Sequence, residues 1–203
     1  DFGRTQDGDL FIVMEFVDGE VLSSGIKKGA MPVTDALNVA EQILGALDGA
    51  HRLGIVHRDV KPDNVMLEST RKTGGGQDQV RVLDFGIAKS DEDTQRLTKT
   101  GIVFGTPEYF SPEQAKGHET DGRSDIYSVG VILFEMLGGR RPYNGPGAAA
   151  IVYQHIHEPA PSLRREFPRR GFPEDVDELV RYLMAKVREQ RPQTAEAARL
   201  LLR

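Results

Sequence analysis

The sequence predicts an α+β domain that is mainly helical, with a small sheet to one side. Three observations lead there. Short apolar, β-branched runs crowd the first half of the 203 residues, between polar turns. Longer stretches with apolar residues at helical spacing dominate the second half. No internal repeat or convincing linker divides the chain, and its length is enough for one domain with a sizeable core.

The elements follow in order. Leu10–Phe16, after the turn-like "DGD", reads as a strand. Pro32 and Thr34 open a helix in which Leu37, Ala40, Leu44 and Leu47 recur until Gly54 ends the pattern. Ile55-Val56, Val65-Met66-Leu67 and Val80 to Leu83 read as short strands, with "TGGGQDQ" as the flexible tip of a hairpin. From Ser90 to Thr106 the chain is polar, Thr-rich and without period, which predicts a mobile loop. Ile126 to Leu137 is apolar nearly all round and predicts a buried central helix. Asp175 to Val187 is amphipathic, with Val176, Leu179, Val180, Leu183 and Met184 on one face, and "TAEAARLLLR" closes the chain as a further helix.

Composition narrows the function classes. Hydrophobic residues at 38% and charged residues at 28% describe a soluble globular protein. A net charge of -5 leaves no basic footprint, so no nucleic-acid partner is expected. The chain has no cysteine, which excludes disulfides and thiolate metal sites and fits a cytoplasmic setting. No apolar run reaches membrane-spanning length.

The chemistry concentrates in "IVHRDVKPDNVML" and "VRVLDFGIAK". The first puts Asp59, Lys61 and Asn64 on one loop; the second puts Asp84 at a strand end, 25 residues after Asp59. Two carboxylates, an ammonium group and an amide in one cleft suit phosphoryl transfer. That reaction needs a proton acceptor by the nucleophile, positive charge on the transferred group and hard oxygen ligands for magnesium. Asp-Phe-Gly occurs twice, at Asp1 and at Asp84. Asp1 precedes the loop and Asp84 follows it.

These residues resemble the protein kinase family. "HRDVKPDN" is similar to its catalytic loop, "DFG" at Asp84 to its magnesium loop, and "GTPEYFSPE" to the segment ending in Ala-Pro-Glu, with Ser111 in place of Ala. "SDIYSVGVILFEML" looks like the central buried helix, with Asp125 structural in it, and "REQRP" resembles the motif whose Arg191 pairs with Glu113. "FGTPEYFSPEQAKG" is in the style of the eukaryotic-like serine/threonine kinases of bacteria. The resemblance that these motifs carry implies that the first Asp-Phe-Gly is a turn entering a hairpin and that Asp84 carries the chemistry. It implies a kinase-like fold, with residues 1–17 as the last small-lobe strands and hinge and 18–203 as the helical C-terminal lobe.

It also implies roles. Asp59 orients the substrate hydroxyl and accepts its proton; Lys61 neutralises the γ-phosphate; Asn64 and Asp84 hold magnesium, or manganese, on ATP. Met14 lies behind the adenine, the backbone of Glu15 and Val17 binds its edge, and Met66 forms the floor. His57, stacked beneath Phe85, Thr106 near Asp59 and Lys61, and the Glu113–Arg191 pair are structural. His51 reads as a polar edge of its helix, and His155 and His157 lack the partners of a metal site. Thr98 and Thr100 resemble the bacterial autophosphorylation site, with Arg58 receiving the phosphate. The expected partners are proteins bearing Ser or Thr and a second kinase copy for trans-autophosphorylation.

No Gly-rich loop or strand Lys precedes the hinge, so a truncated catalytic domain is expected, with negligible phosphotransfer by itself and an exposed, aggregation-prone edge at Leu10–Phe16. A membrane tether would belong to segments outside the 203 residues. Two other readings use the same residues. A non-catalytic kinase-like scaffold would call for broken catalytic positions, whereas Asp59, Asn64 and Asp84 are intact. A small-molecule phosphotransferase would not be expected to carry "GTPEYFSPE".

Overall fold

The computed structural model describes residues 2–5, 7–13, 15–68, 78–85 and 106–203. A hairpin of β1 (Phe2–Arg4) and β2 (Leu10–Ile12) opens the chain, with Phe2 opposite Ile12 and Arg4 opposite Leu10. Its turn contains Gly8 at φ 94°, a conformation that favours a residue without Cβ, and is closed by the Thr5 N–H donating to the Asp9 carbonyl at 2.8 Å. Phe2 and Gly3 therefore lie in a strand rather than in a turn, because the left-handed glycine comes five residues after Gly3. Asp1 and Met14 lie outside the described residues. Of the strand expected over Leu10–Phe16, the structure shows Leu10–Ile12.

A second antiparallel sheet has the order β3 (Gly19–Val21), β4 (Val65–Glu68), β5 (Gln79–Val82). Val65 and Val80 enter the core from it. The outer edge of β5 is covered by Gln42, whose side chain accepts the Val80 N–H at 3.0 Å and donates to the Asp78 carbonyl at 3.1 Å. The "GGG" tip and the expected mobile loop, with Thr98 and Thr100, fall outside the described residues.

Helices make up the rest. β3 runs into the short α1 (Leu22–Lys27), and α2 (Val33–His51) buries Ala36, Val39, Ala40, Ile43, Leu44 and Leu47. That stripe packs on α4 (Gly122–Gly138) and α8 (Ala195–Leu200). Gly54 at φ 74° turns the chain out of α2, and the Ile55 N–H bonds back to the Ala50 carbonyl. Ile55-Val56 is consequently coil and not a strand. In α4 every residue from Ser124 to Leu137 is buried. A Cβ at Gly130 would stand 2.8 Å from Leu183 Cβ, so glycine is what allows α4 and α7 (Glu174–Leu183) to touch. The helix expected to run to Val187 stops at Leu183, and the guanidinium of Arg191 takes the Ala185 and Lys186 carbonyls. Three further helices, α3 (Pro112–Ala115), α5 (Ala148–His157) and α6 (Leu163–Glu166), complete the described residues. Among these residues no helix is long and apolar enough to cross a membrane.

Candidate active site

The loop from His57 to Asn64 joins the end of α2 to β4, and a carboxylate beneath it sets its shape. Asp125, 1% exposed in the first turn of α4, accepts the His57 N–H on Oδ2 and the Arg58 N–H on Oδ1, both at 2.9 Å. His51 Nε2 donates to the same Oδ2 at 2.8 Å. The Arg58 carbonyl accepts the Gln114 side-chain N–H at 2.8 Å. Held from both sides, Arg58 sits at φ 63°, which costs a non-glycine residue roughly 1–3 kcal/mol when the surroundings impose it. That bend delivers Asp59 to the cleft.

Four side chains meet there, those of Asp59, Lys61, Asn64 and Thr106. Lys61 Nζ donates to Asp59 Oδ2 at 3.0 Å and to Thr106 Oγ1 at 3.2 Å. Asn64 Nδ2 donates to the Asp59 carbonyl at 2.9 Å. Asp59 and Lys61 are partly buried, so their attraction is less screened than that of a surface pair. The Asn64 backbone carbonyl accepts the Leu83 N–H at 2.8 Å, which ties the loop to the chain leaving β5 one residue before Asp84. Asp84 takes φ 52°, a second left-handed non-glycine residue beside the cleft.

His57 is fully buried and joins the two loops. Its Nε2 donates to the Leu83 carbonyl at 2.9 Å, and its Nδ1 accepts the Asp59 N–H at 3.3 Å. Its ring lies 4.8 Å from that of Phe85. A neutral ring with both nitrogens engaged is a spacer between loops, not a base.

Below the cleft, Ser111 caps α3 with a reciprocal capping box: its Oγ accepts the Gln114 N–H, and Gln114 Oε1 accepts the Ser111 N–H. Glu113, the second residue of that helix, receives both arms of Arg191, at 2.7 and 2.8 Å, and the Ser124 hydroxyl at 2.6 Å. Burial opposes its charge, yet the Arg191 guanidinium prevails and holds Glu113 below the usual carboxylate range. Arg191 also donates to the Arg123 carbonyl at 2.9 Å and to the Ala185 carbonyl at 2.7 Å.

The donor set suits a magnesium nucleotide. Asn64 spends its amide N–H on Asp59, which leaves its amide oxygen able to accept a hydrogen bond or a cation. Asp84 supplies an exposed carboxylate. Among the described residues no group of three or more His, Cys, Asp or Glu gathers to hold a metal by itself. Two oxygen donors are what a cation completed by substrate phosphates and water requires. Glu15 is exposed, Val17 half-buried, and Met66 half-buried on β4 beside the loop.

The polar-edge reading of His51 misses its bond to Asp125, and Gln114 was not singled out at all. Gln114 had a signal in the sequence, the Ser-x-x-Gln pattern of a capping box from Ser111. His51 had none, since nothing local links it to a residue 74 positions on. His155 is buried, bonded to Tyr127 and to the Glu108 carbonyl.

Similarity to other proteins agrees with this geometry. The family described as "Protein kinase domain" matches residues 4–200. The serine/threonine-protein kinase pkn3 of Myxococcus xanthus is 41% identical over 202 residues, covering 97% of this chain and 36% of that protein. The serine/threonine-protein kinase PknB of Mycobacterium leprae is 41% identical over 199 residues, covering 97% of this chain and 30% of that protein. The chain thus spans about a third of the length of these relatives. In fold it resembles the crystal structure of the Mycobacterium tuberculosis PknI kinase domain, with a TM-score of 0.70, 24% identity, and coverage of 100% of this chain and 67% of that one. With the family match running almost end to end and the Asp59–Lys61–Asn64 loop bonded to Leu83, one residue before Asp84, the chain belongs to the protein kinase domain family, among its eukaryotic-like bacterial serine/threonine members.

Proposed function

We propose that this chain carries the catalytic loop of an ATP-dependent serine/threonine protein kinase and transfers the γ-phosphoryl group of magnesium-ATP to a protein hydroxyl. The observation that carries the reading is Lys61 Nζ between Asp59 Oδ2 at 3.0 Å and Thr106 Oγ1 at 3.2 Å. A carboxylate beside an ammonium group, closed by a hydroxyl, is a site for one more hydroxyl and one phosphoryl group. Asp59 orients the substrate oxygen and takes its proton as the O–P bond forms. A carboxylate is a weak base, so most of its contribution is positioning. Lys61 places positive charge beside the transferred group.

Asn64 Oδ1 and the Asp84 carboxylate would hold the magnesium, which neutralises charge on the nucleotide phosphates when bound. Met66 offers an apolar floor to the base, and the backbone of Glu15 and Val17 its polar edge. The substrates in this reading are proteins with accessible Ser or Thr, a second copy of the kinase included, in the cytoplasm where ATP is abundant. Thr98 and Thr100 are the proposed sites of autophosphorylation, with Arg58 as the receiving guanidinium.

The test separates roles in the full-length protein. Asp59→Asn removes the proton acceptor while keeping size, so turnover falls by about 10²–10⁴-fold with little change in nucleotide affinity. Asp84→Asn weakens magnesium-ATP binding as well as turnover. Equal loss of nucleotide affinity in both variants would overturn the separate assignments.

A further inference from the structure

Lys186 is a largely buried cation that pairs with no carboxylate among the described residues. Such a group is a structural cost unless it is well bonded, and it is well bonded here. Its Nζ donates to the Tyr143 hydroxyl at 2.8 Å, the His155 carbonyl at 2.9 Å and the Tyr127 hydroxyl at 3.1 Å. It also lies 4.5 Å from the Tyr143 ring centre.

The contacts that leave this lysine run in one direction. His155 Nε2 is 3.0 Å from the Glu108 carbonyl oxygen, which can only accept, so Nε2 carries the proton. Burial first, and then the Lys186 charge, lower His155 to about 3, so the ring is neutral and Nδ1 is bare. The Tyr127 hydroxyl therefore donates to Nδ1 at 3.0 Å, and its oxygen is left to accept from Lys186. The result is a chain of donors from Lys186 through Tyr127 and His155 to Glu108.

Both ends of that chain matter. Glu108 lies in the 3-10 turn Pro107–Tyr109, two residues after the Thr106 that closes the Lys61–Asp59 pair. At the other end, the Lys186 carbonyl accepts from Arg191 Nη2 at 3.3 Å, beside the Glu113 pair. We propose that Lys186 is a positioning residue that holds the substrate-side segment Thr106–Phe110 against α4 and α5, through the donor chain Tyr127–His155–Glu108. Burial, followed by the Arg191 guanidinium, brings the Lys186 ammonium down to about 7, and either protonation state has an N–H for Tyr127. The role in substrate binding rests on the kinase reading above; the ordering of the segment does not.

The experiment uses the full-length protein with Lys186→Met, Tyr127→Phe and the double variant. Exchange at the hydrogen-bonded amides of Tyr109 and Phe110 accelerates by about tenfold or more in each single variant, while the His57 and Arg58 amides keep their protection. The KM for a Ser/Thr peptide rises by about tenfold, with kcat within about twofold. The double variant is no worse than either single one, because either change opens the same chain. Should Lys186→Met fail to fold, Tyr127→Phe, which keeps the ring and its packing, decides alone. Unchanged exchange at Tyr109 and Phe110, or additive losses in the double variant, would overturn the proposal. If the wild type phosphorylates no peptide, the kinase reading fails while the exchange data still decide the relay.

Discussion

Asp125→Asn is the perturbation with the most legible consequence. The carboxylate is fully enclosed and receives three donors: the His57 and Arg58 N–H groups at 2.9 Å and His51 Nε2 at 2.8 Å. An asparagine keeps one acceptor oxygen and turns the other position into a donor. His51 can change tautomer and accept from the new amide, but one backbone N–H of the catalytic loop is left facing an N–H₂. An unsatisfied buried donor costs about 1–3 kcal/mol, and the bond it loses was to a charged acceptor, so about 2–4 kcal/mol is expected in all. That is a large share of a domain's roughly 5–15 kcal/mol without exhausting it. The protein should fold with a clearly lower midpoint. Arg58 at φ 63° depends on this clamp, and its relaxation displaces Asp59, the next residue. A misplacement near 1 Å costs about 10²-fold in turnover. Urea unfolding of a kinase domain that includes this chain, with kcat measured on the same preparation, reads both effects. An unchanged midpoint together with kcat within about twofold of wild type would refute the clamp.

Other outcomes follow from the same contacts. Arg191→Met strands the buried Glu113 carboxylate and the Arg123, Ala185 and Lys186 carbonyls, so it costs about 3–5 kcal/mol or more, whereas Glu113→Gln costs less because Arg191 keeps those carbonyls; thermal unfolding that ranks them the other way contradicts the pairing. His155 is held neutral, with its ring lowered to about 3 against an ordinary 6.5, so the unfolded chain binds a proton that the fold refuses. Its stabilisation is full above about pH 6.5 and is lost as pH falls towards about 3, up to about 5 kcal/mol in size; acid unfolding whose slope between those limits is the same in His155→Gln would dismiss it. In the kinase reading, phosphate on Thr98 or Thr100 orders its segment against Arg58; mass spectrometry finding neither modified, with Thr98→Ala/Thr100→Ala fully active, removes that switch.

How much of this was written in the sequence depended on the range of the interaction. The buried helix α4 was legible because twelve residues from Ile126 to Leu137 are almost all apolar, a pattern that leaves few other structures. The active loop was legible because Asp59, Lys61 and Asn64 are close in sequence and chemically unlike a turn filler. Short elements were missed. β3 and α1 are three and six residues long, too brief for a period to show, and α5 buries only Ile151 and His155 of its ten residues. The end of α7 is not legible because Arg191, which takes the Ala185 and Lys186 carbonyls just past Leu183, comes after the amphipathic pattern has ended. The kinase resemblance implies a hairpin entered at the first Asp-Phe-Gly but does not fix which residues turn; the turn falls at Gly8, two residues before Leu10, whose φ of 94° suits a residue without Cβ. Asp125 with His51, and Lys186 with Tyr127 and His155, join residues more than 25 positions apart, and no local pattern reports such bonds.

The central claim is that Asp59, Lys61, Asn64 and Asp84 act together on a magnesium nucleotide and a protein hydroxyl. It is tested most directly by giving the purified full-length protein γ-labelled ATP, magnesium and a mixed protein substrate, then identifying the labelled residue by mass spectrometry. The account predicts phosphoserine and phosphothreonine, loss of label when magnesium is chelated, and loss by at least about 10²-fold in Asp59→Ala. Label that persists undiminished in Asp59→Ala, or that appears on tyrosine alone, would contradict it.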